Sequence, residues 1–529
     1  MSNLDRKRRI LLQMVRNFAC MLITVLLALI AIIPVQAQTG VYTLNGGTAT
    51  QTGQTYAATL TDQSAVYVLN SGNLTLNSCT MTKTGDASNA NNSSQYGINA
   101  GILANSAGVI IISGGSVTTN ALGANGIFAS GSGSSISMSD ATISASGNNA
   151  HGVDVTYGGS ITLTNVNVTT NGESSSALAT DFGGGTVTVT GGTLTSASTS
   201  ANSHSAGIYS TGTISVTGAM VSSVADCGGV IDGANSIILT NTSLTGNVEG
   251  IKLWKTAPAN GNATVTITGG SLTSTAGDAF YVTGETGNAA SAAITLSAGA
   301  TVGSGTGNIL KVLSSSTATL TADDEILSGN LVTSGGSTIN ATLQNSTMLT
   351  GTVNAAALTI DAGSSWRLSG NSILTIIIDP SGISGLTVTN ITGNGFSAHY
   401  DSTLTGNSYL HGRIYTLVNG GYLTPGTVNV GVEEISGNSQ EAFTLNQNYP
   451  NPFNAVTDIS FVINSPSHVI LTIYNLIGQP VKVLDKGKLD AGTYSEQFSA
   501  SGFPGGIYYY RLSIDGNTQT KKMIIASGN

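Results

Sequence analysis

Residues 159–196 read GSITLTNVNVTTNGESSSALATDFGGGTVTVTGGTLTS and contain two copies of one pattern. In each copy an apolar residue stands at offsets zero and two, a small or apolar residue at offset five, and an apolar residue at offset seven. Spacing by two is the period of a β-strand, whose side chains alternate between its two faces. The shift to three in the middle predicts a corner between two short strands, at Asn165-Val166 and again at Gly191-Gly192.

The same pattern recurs from about residue 65 to residue 300, and each copy follows a further short strand such as 153–155. Other copies are Leu74, Leu76, Cys79 and Met81; Ile110, Ile112, Gly115 and Val117; Ile136, Met138, Ala141 and Ile143; Ile214, Val216, Ala219 and Val221; and Val265, Ile267, Gly270 and Leu272. Three strands per turn, repeated at roughly 25 residues, indicate a solenoid. One coil cannot bury its own apolar residues, whereas stacked coils share a continuous core. The predicted fold class is all-β, a parallel β-helix taken as right-handed from the general chirality rule.

This region resembles the right-handed parallel β-helix of pectate-lyase-like proteins, autotransporter passengers and large bacterial adhesins. The resemblance implies a fold but no single function, since the same solenoid carries enzymes, adhesins and inert stalks. We assign the β-helix passenger to residues 38–395. Residues 396–440 resemble the closing segment of secreted β-helix passengers, and we assign them to a C-terminal cap and linker.

Residues 1–37 have the three parts of a secretory signal peptide. A basic cluster, Arg6 to Arg9, precedes an apolar run from about Phe18 to Ile33, and Val35-Gln36-Ala37 forms a cleavage site of the A-x-A kind. A retained membrane anchor is the alternative, because the apolar run approaches membrane-spanning length. Removal of this segment moves the formal net charge from -9 to -13, which argues against a nucleic-acid partner. No transmembrane segment is expected after signal removal.

A separate domain is predicted at residues 441–529, where lysine, tyrosine and proline reappear and the repeat stops. Its ordered blocks include FTLNQNYPNPFN at 443–454, VILTIYNLIG at 469–478 and SGFPGGIYYYRL at 501–512. Alternating strands separated by glycines predict a small immunoglobulin-like β-sandwich. A generic carbohydrate-binding or adhesion module of that kind is one interpretation.

The blocks closely resemble the type A sorting domain of the type IX secretion system of Bacteroidetes. The matching positions are Asn448, Tyr449, Pro450, Asn451, Pro452, Phe453, Gly478, Gly492, Gly506, Tyr508, Lys521 and Lys522. Ala455-Val456 departs from the usual Pro-Thr of that family, and the tail 526–529 is neutral. The resemblance implies the type IX machinery as a partner, and a secreted or outer-surface location on a Gram-negative cell.

A search for catalytic residues in the β-helix gives no assembled set. Lyases of this fold use an acidic calcium site with a basic residue, and hydrolases use grouped aspartates, yet no arginine occurs between Arg16 and Arg367. The cluster Asp323-Asp324-Glu325 is interpreted as a solvated turn, and His151 as a loop histidine. Cys79 and Cys227 belong to coils about five apart, roughly 24 Å, so we expect two buried free thiols. We therefore predict no enzyme activity, no cofactor and no metal.

One row of side chains is predicted to point outward from the first strand of each coil, and it carries our binding hypothesis. The row comprises Tyr67, Leu103, Phe128, Asp154, Ala179, Tyr209, Ile231, Lys252 and Tyr281. Its binding candidates are Tyr67, Phe128, Asp154, Tyr209 and Tyr281, because outward aromatic residues can stack on sugar rings. The other interpretation is that long loops between the coils cover these positions.

Three functions remain open from the sequence. The first is a secreted or surface-displayed structural or adhesive protein that binds glycan, extracellular matrix or another cell. The second is a polysaccharide-degrading lyase or hydrolase with a cryptic or degenerate site. The third is a passive stalk.

Overall fold

The structure is a computed structural model that describes residues 38–258, 261–285, 287–426, 443–448, 450–463, 466–475, 479–514 and 517–526. The predicted signal peptide at 1–37, together with Tyr449 and Gly478 of the sorting motif, lies outside the described residues. The chain divides into two compact units, one on either side of the segment 427–442. We call them the solenoid unit and the C-terminal unit, and each is described by itself.

The solenoid unit is a parallel β-helix of about 15 turns, and most of its coils contribute one strand to each of three stacks. The first stack contains Thr39–Asn45, Gln63–Leu69, Ile102–Asn105, Ile127–Ser130, Val153–Thr156, Leu178–Thr180, Ile208–Ser210, Gly229–Asp232, Ile251–Lys255, Phe280–Gly284, Asn308–Val312 and Asn330–Thr333. The second contains Thr48–Thr52, Asn73–Asn77, Val109–Ser113, Ser135–Ser139, Gly159–Thr164, Gly185–Thr190, Thr213–Thr217, Ser236–Thr240, Ala263–Thr268, Ser291–Ser297, Thr317–Asp323 and Thr338–Gln344. The third contains Thr55–Ala58, Thr80–Lys83, Ser116–Thr119, Thr142–Ala145, Asn167–Thr170, Thr193–Ser196, Met220–Ser223, Ser243–Gly246, Ser271–Ser274 and Thr301–Gly303. The short strands Ile326–Ser328 and Met348–Thr350 follow in the next two coils and pair with each other.

The corner between the second and third stacks repeats one backbone conformation. The residues that form it have φ between 47° and 68°, and they are Ser78, Gly114, Asp140, Asn165, Gly191, Gly218, Asn241 and Gly269. This left-handed region is tolerated best by glycine, asparagine and aspartate, which explains their recurrence at this offset. The corner predicted from the shift in spacing is confirmed.

A single hydrophobic core fills the solenoid along its axis. The apolar positions of the repeat point into it; Ile161 and Val189, for example, are fully buried. Inward hydroxyl groups at the end of the third strand form hydrogen bonds within the coil: Thr119 Oγ1 donates to the Ala124 carbonyl at 2.6 Å, and Thr170 Oγ1 to the Ser175 carbonyl at 2.7 Å. The predicted parallel β-helix is therefore confirmed.

The far end of the solenoid closes through antiparallel pairing. The strand Val353–Ile360 pairs with strands of both the first and the second stack, after which the coils become irregular. The remaining elements are the strands Ser365–Arg367, Ser372–Ile378, Ile383–Ser384, Thr387–Thr392, Ala398–Asp401, Tyr415–Val418 and Tyr422–Gly426, and the 3-10 helices Pro380–Gly382 and Thr405–Leu410. The last two strands pair antiparallel with each other. Tyr400, buried beneath them, donates its hydroxyl hydrogen to the Arg413 carbonyl at 2.8 Å.

The C-terminal unit is a small β-sandwich with two antiparallel sheets. One sheet orders the strands Phe443–Leu445, Val456–Ile463 and Gly492–Ser499. The other orders Pro480–Leu489, Ser467–Tyr474, Gly506–Ile514 and Asn517–Ile525. Alternate apolar residues of both sheets, such as Phe461, Leu471 and Tyr510, meet in one core. The predicted second β-domain is confirmed.

Candidate functional site

The outward row lies in register along the first stack. Parallel pairing places Tyr67, Leu103, Phe128, Asp154, Ala179, Tyr209, Val230, Lys252 and Tyr281 at equivalent positions of successive strands. One predicted member is wrong: Val230 occupies the position, whereas Ile231 faces the solenoid core. Both residues are apolar, so hydrophobicity alone could not decide which of the two neighbours points inward.

Four of the five binding candidates are covered. Phe128 and Asp154 have no exposed surface, Tyr67 is 6% exposed and Tyr209 is 5% exposed, while Tyr281 alone is partly exposed. The prediction that these four side chains are exposed is therefore wrong, while the binding of glycan by the outward row stays a prediction. The interpretation in which loops cover the row describes them correctly.

The cover over the early coils is the segment 84–100, which carries the helix Ala90–Tyr96. Asn89 caps the helix by accepting a hydrogen bond from the Asn92 N–H, and Gly97 ends it at φ 68°. A β-carbon at Gly97 would lie 2.5 Å from the Phe128 ring, so the turn requires glycine for space as well as conformation. Phe128 thereby packs in a cluster outside the main core.

Exposed aromatic residues lie at the end of this helix and in the turns of two neighbouring coils. We call this group the aromatic patch: Tyr96, Tyr157 and Phe182. Their exposed fractions are 43%, 40% and 40%. The rings of Tyr96 and Tyr157 stack with centroids 6.0 Å apart and planes at 17°. The Tyr157 N–H donates to the Phe182 carbonyl at 3.1 Å, which joins neighbouring coils, and Gln95 Nε2 donates to the Tyr157 hydroxyl.

Two members of the aromatic patch hold unfavourable backbone conformations. Tyr157 has φ 51° and Phe182 has φ 29°, whereas Gly131 occupies the corresponding turn one coil earlier. Bulky residues with positive φ are uncommon and cost roughly 1–3 kcal/mol each. Such strain concentrates at functional sites. The sequence repeat gives no sign of this patch, because both residues lie in turns just after the first-stack strands.

Two carboxyl groups lie beside the patch. Asp154 is fully buried, and in the described chain neither of its carboxylate oxygens has a hydrogen-bond partner. Burial raises its pKa well above the usual value, and the charge of Asp181 raises it further. Asp181, directly before Phe182, is only partly exposed, and burial raises its pKa to about 6. Burial therefore favours the neutral form of the Asp154 carboxyl group.

A second polar and aromatic cluster surrounds Tyr209. The ring centroid of His204 lies 4.9 Å from that of Tyr209 and 6.2 Å from that of Trp254. Lys252 Nζ lies 3.9 Å from the Trp254 ring centroid and donates to Ser203 Oγ at 2.9 Å. Burial lowers the pKa of His204. Asp154 and Lys252 remain four coils apart along the row, roughly 19 Å at the usual strand spacing.

The other polar residues singled out in the sequence have structural surroundings. His151 is buried, its Nδ1 accepts the Ser176 N–H at 2.9 Å, and desolvation lowers its pKa to about 4. Asp323 accepts hydrogen bonds from Gln344 and Asn345, while Glu325 is buried and accepts the Ala300 N–H at 3.1 Å. The prediction of a solvated side chain is therefore wrong for Glu325.

The cysteine prediction is confirmed: Cys79 and Cys227 are both free and both buried. Cys79 faces the solenoid core, whereas Cys227 packs outside it with Tyr209 and Val230. Among the described residues, no group of His, Cys, Asp and Glu side chains is arranged to hold a metal ion.

The sorting-motif residues of the C-terminal unit pin its first segment to its last strand. The Asn448 N–H donates to the Tyr510 hydroxyl at 2.7 Å, and Asn448 Nδ2 donates to Thr457 Oγ1 at 2.9 Å. Phe453 is buried, and its N–H donates to the Ile524 carbonyl at 3.0 Å. Asn451 Oδ1 accepts the Ile524 N–H at 2.8 Å.

The remaining described motif positions lie in the strands around that segment. Pro450 accepts the Thr457 hydroxyl hydrogen through its carbonyl, and Pro452 follows Asn451 through a cis peptide bond. Gly492 and Gly506 begin strands. Tyr508 is buried and donates to the Pro504 carbonyl at 3.0 Å, whereas Lys521 is partly exposed and Lys522 exposed on the final strand.

These features define a β-solenoid followed by a compact β-sandwich whose sorting-motif residues hold the sandwich together. Residues 447–526 match the family described as secretion system C-terminal sorting domain. The chain therefore carries a type IX secretion sorting domain C-terminal to a β-helix passenger. It is secreted or displayed on the cell surface of a Bacteroidetes-type bacterium. No curated protein matches the chain. In the described part, no helix is long and apolar enough to cross a membrane.

Proposed function

We propose that the protein is an adhesive β-helix that binds glycan at the aromatic patch of Tyr96, Tyr157 and Phe182. The observation that carries the proposal is the exposure of three large aromatic residues, of which Tyr96 and Tyr157 are stacked and Phe182 is joined to Tyr157 by a backbone hydrogen bond. Tyr157 and Phe182 both lie in turns with positive φ. Exposed apolar groups of this size mark interaction sites when they are contiguous. The proposed binding site therefore lies in the turns beside the outward row and not in the row itself.

The chemistry of the patch suits a sugar. An aromatic ring offers a rigid apolar face at a low cost in side-chain entropy, and a tyrosine hydroxyl supplies a polar end. Asp181 places a carboxyl group next to Phe182, where it can accept hydrogen bonds from sugar hydroxyl groups. The Tyr96 and Tyr157 rings are already stacked on each other, so binding requires little new ordering.

We further propose that binding occurs without turnover. The alternative, a polysaccharide-degrading enzyme, is favoured by one observation, the raised pKa values of Asp154 and Asp181. A general acid must reach the bond that it protonates, however, and Asp154 has no exposed surface.

The test is a glycan array probed with the mature chain from Gln38 to Asn529. Retained glycans are then measured against the double variant Tyr157→Ala and Phe182→Ala, with Tyr422→Ala as the control. Tyr422 is an exposed tyrosine near the far end of the same unit. We expect the double variant to lose binding by roughly 30-fold or more and the control to keep it.

Two outcomes would contradict the proposal. Equal binding by the double variant and the control would place the glycan elsewhere. Release of reducing or unsaturated sugar products from a retained polysaccharide would identify an enzyme instead.

A further inference from the structure

The first coil of the solenoid is open on its outer side. Its strands Thr39–Asn45, Thr48–Thr52 and Thr55–Ala58 each pair with the second coil, and no other described strand pairs with them. One edge of all three strands therefore presents backbone N–H and C=O groups without strand partners. An open edge of this kind is a template for pairing with another chain.

The core is also exposed at this end. The inward residues of the first coil, Tyr42, Leu44 and Tyr56, are only partly buried, whereas Val66 and Leu74 in the second coil are fully buried. The rings of Tyr42 and Tyr56 approach to 5.4 Å between centroids. The end of the solenoid is thus an apolar disc surrounded by three strand edges.

This edge lacks the usual protection against association. Natural edge strands are blunted by lysine, by proline or by inward charges. Residues 38–61 contain no charged residue and no proline, and the first charge is Asp62. The opposite end of the solenoid is different, because the antiparallel strands Tyr415–Val418 and Tyr422–Gly426 close it.

We propose that the open first coil binds the open first coil of a second copy of this chain, head to head. A partner must present three strand edges around an apolar centre, arranged as in the cross-section of the first coil. The first coil of a second copy meets that requirement. Because the far end is closed, each copy has one open end. Two copies can therefore form a two-fold dimer but not an open filament. Across a two-fold axis the facing strands run antiparallel, so their backbone groups can pair directly.

The test is sedimentation velocity of the mature chain from Gln38 to Asn529 over a range of concentrations. A dimer is expected. Leu44→Lys and Tyr56→Lys place a charge in the apolar disc and should each weaken association by roughly 30-fold or more. Thr50→Lys, exposed on the outer face of the same coil, is the matched control and should still dimerise.

Cross-linking keeps the proposal testable if the lysine variants fold poorly. The thiol of a Thr52→Cys variant lies on the first coil and should be joined to that of a second copy by a flexible bis-maleimide cross-linker, whereas the thiol of Met220→Cys, on an exposed side of a later coil, should not. A mature chain that remains monomeric at all concentrations would overturn the proposal, as would equal dimerisation of the lysine variants and the control. If residues 1–37 are kept and prevent dimerisation that the mature chain shows, the open end is confirmed as the contact surface.

Discussion

Replacing Asp154 with asparagine tests how the covered face of the solenoid is stabilised. Asp154 is fully buried, and its carboxylate oxygens have no hydrogen-bond partner in the described chain. Burial and the neighbouring Asp181 raise its pKa well above 3.8. The folded protein therefore keeps the neutral acid to a higher pH than the unfolded chain, which ionises it above about pH 4.

The sign of the effect follows from proton binding. Only the unfolded state releases the proton between the two pKa values, so ionisation favours unfolding as the pH rises above 3.8. The loss of stability grows by about 1.4 kcal/mol per pH unit until the folded pKa is reached. Asparagine resembles the neutral acid and cannot ionise in either state. We expect Asp154→Asn to stabilise the solenoid unit at pH 7 relative to the parent, and to change its stability by almost nothing below pH 4.

Urea denaturation of the mature chain at pH 4 and pH 7 measures the difference, and hydrogen exchange at 153–156 assigns it to the solenoid unit. Asp140→Asn is the matched control, because Asp140 is an exposed aspartate in the same unit. An Asp154→Asn variant that is less stable than the parent at pH 7, or whose gain is the same at both pH values, would refute the reasoning.

Two further predictions concern the core and the export address. Ile161→Asp should destabilise the neighbouring coils by roughly 5 kcal/mol, since it removes a buried side chain and introduces an unpartnered acid, while exposed Thr162→Asp should change stability by about 0.5 kcal/mol or less. Limited proteolysis compares the two, and equal cleavage would show that the inward and outward faces are misassigned. Deletion of residues 441–529 should trap the protein in the periplasm of its native host, as measured by cell fractionation; unchanged surface or medium levels would exclude an export role for this domain.

The sequence predicts the stacks well because side chains of a strand alternate between two faces, so the alternating apolar residues identify the face that packs in the core. The second strand of each coil could be located this way, and Ile161 and Leu163 point inward as expected. The cover over the outward row could not be predicted. It depends on how the segment 84–100 packs through Gly97 against Phe128, which no local periodicity encodes.

The candidate site was predicted only in outline for the same reason. The predicted outward row, including Asp154, lies beside the aromatic patch, but Tyr157 and Phe182 lie in turns that have no repeat pattern. Their exposure depends on the neighbouring coils and on the helix Ala90–Tyr96. Asp181 likewise becomes recognisable only when its burial is known.

The register of the first stack is continuous through the early coils of the solenoid. From the strand Ile102–Asn105 to the strand Val153–Thr156, each first-stack residue pairs with its counterpart without a shift. Within this stretch, adding or losing a coil of the same length would change the length of the solenoid without changing which side chains point inward. With about 15 turns, each adding about 4.8 Å, the solenoid is roughly 70 Å long, and the number of repeats encoded in its gene sets that length.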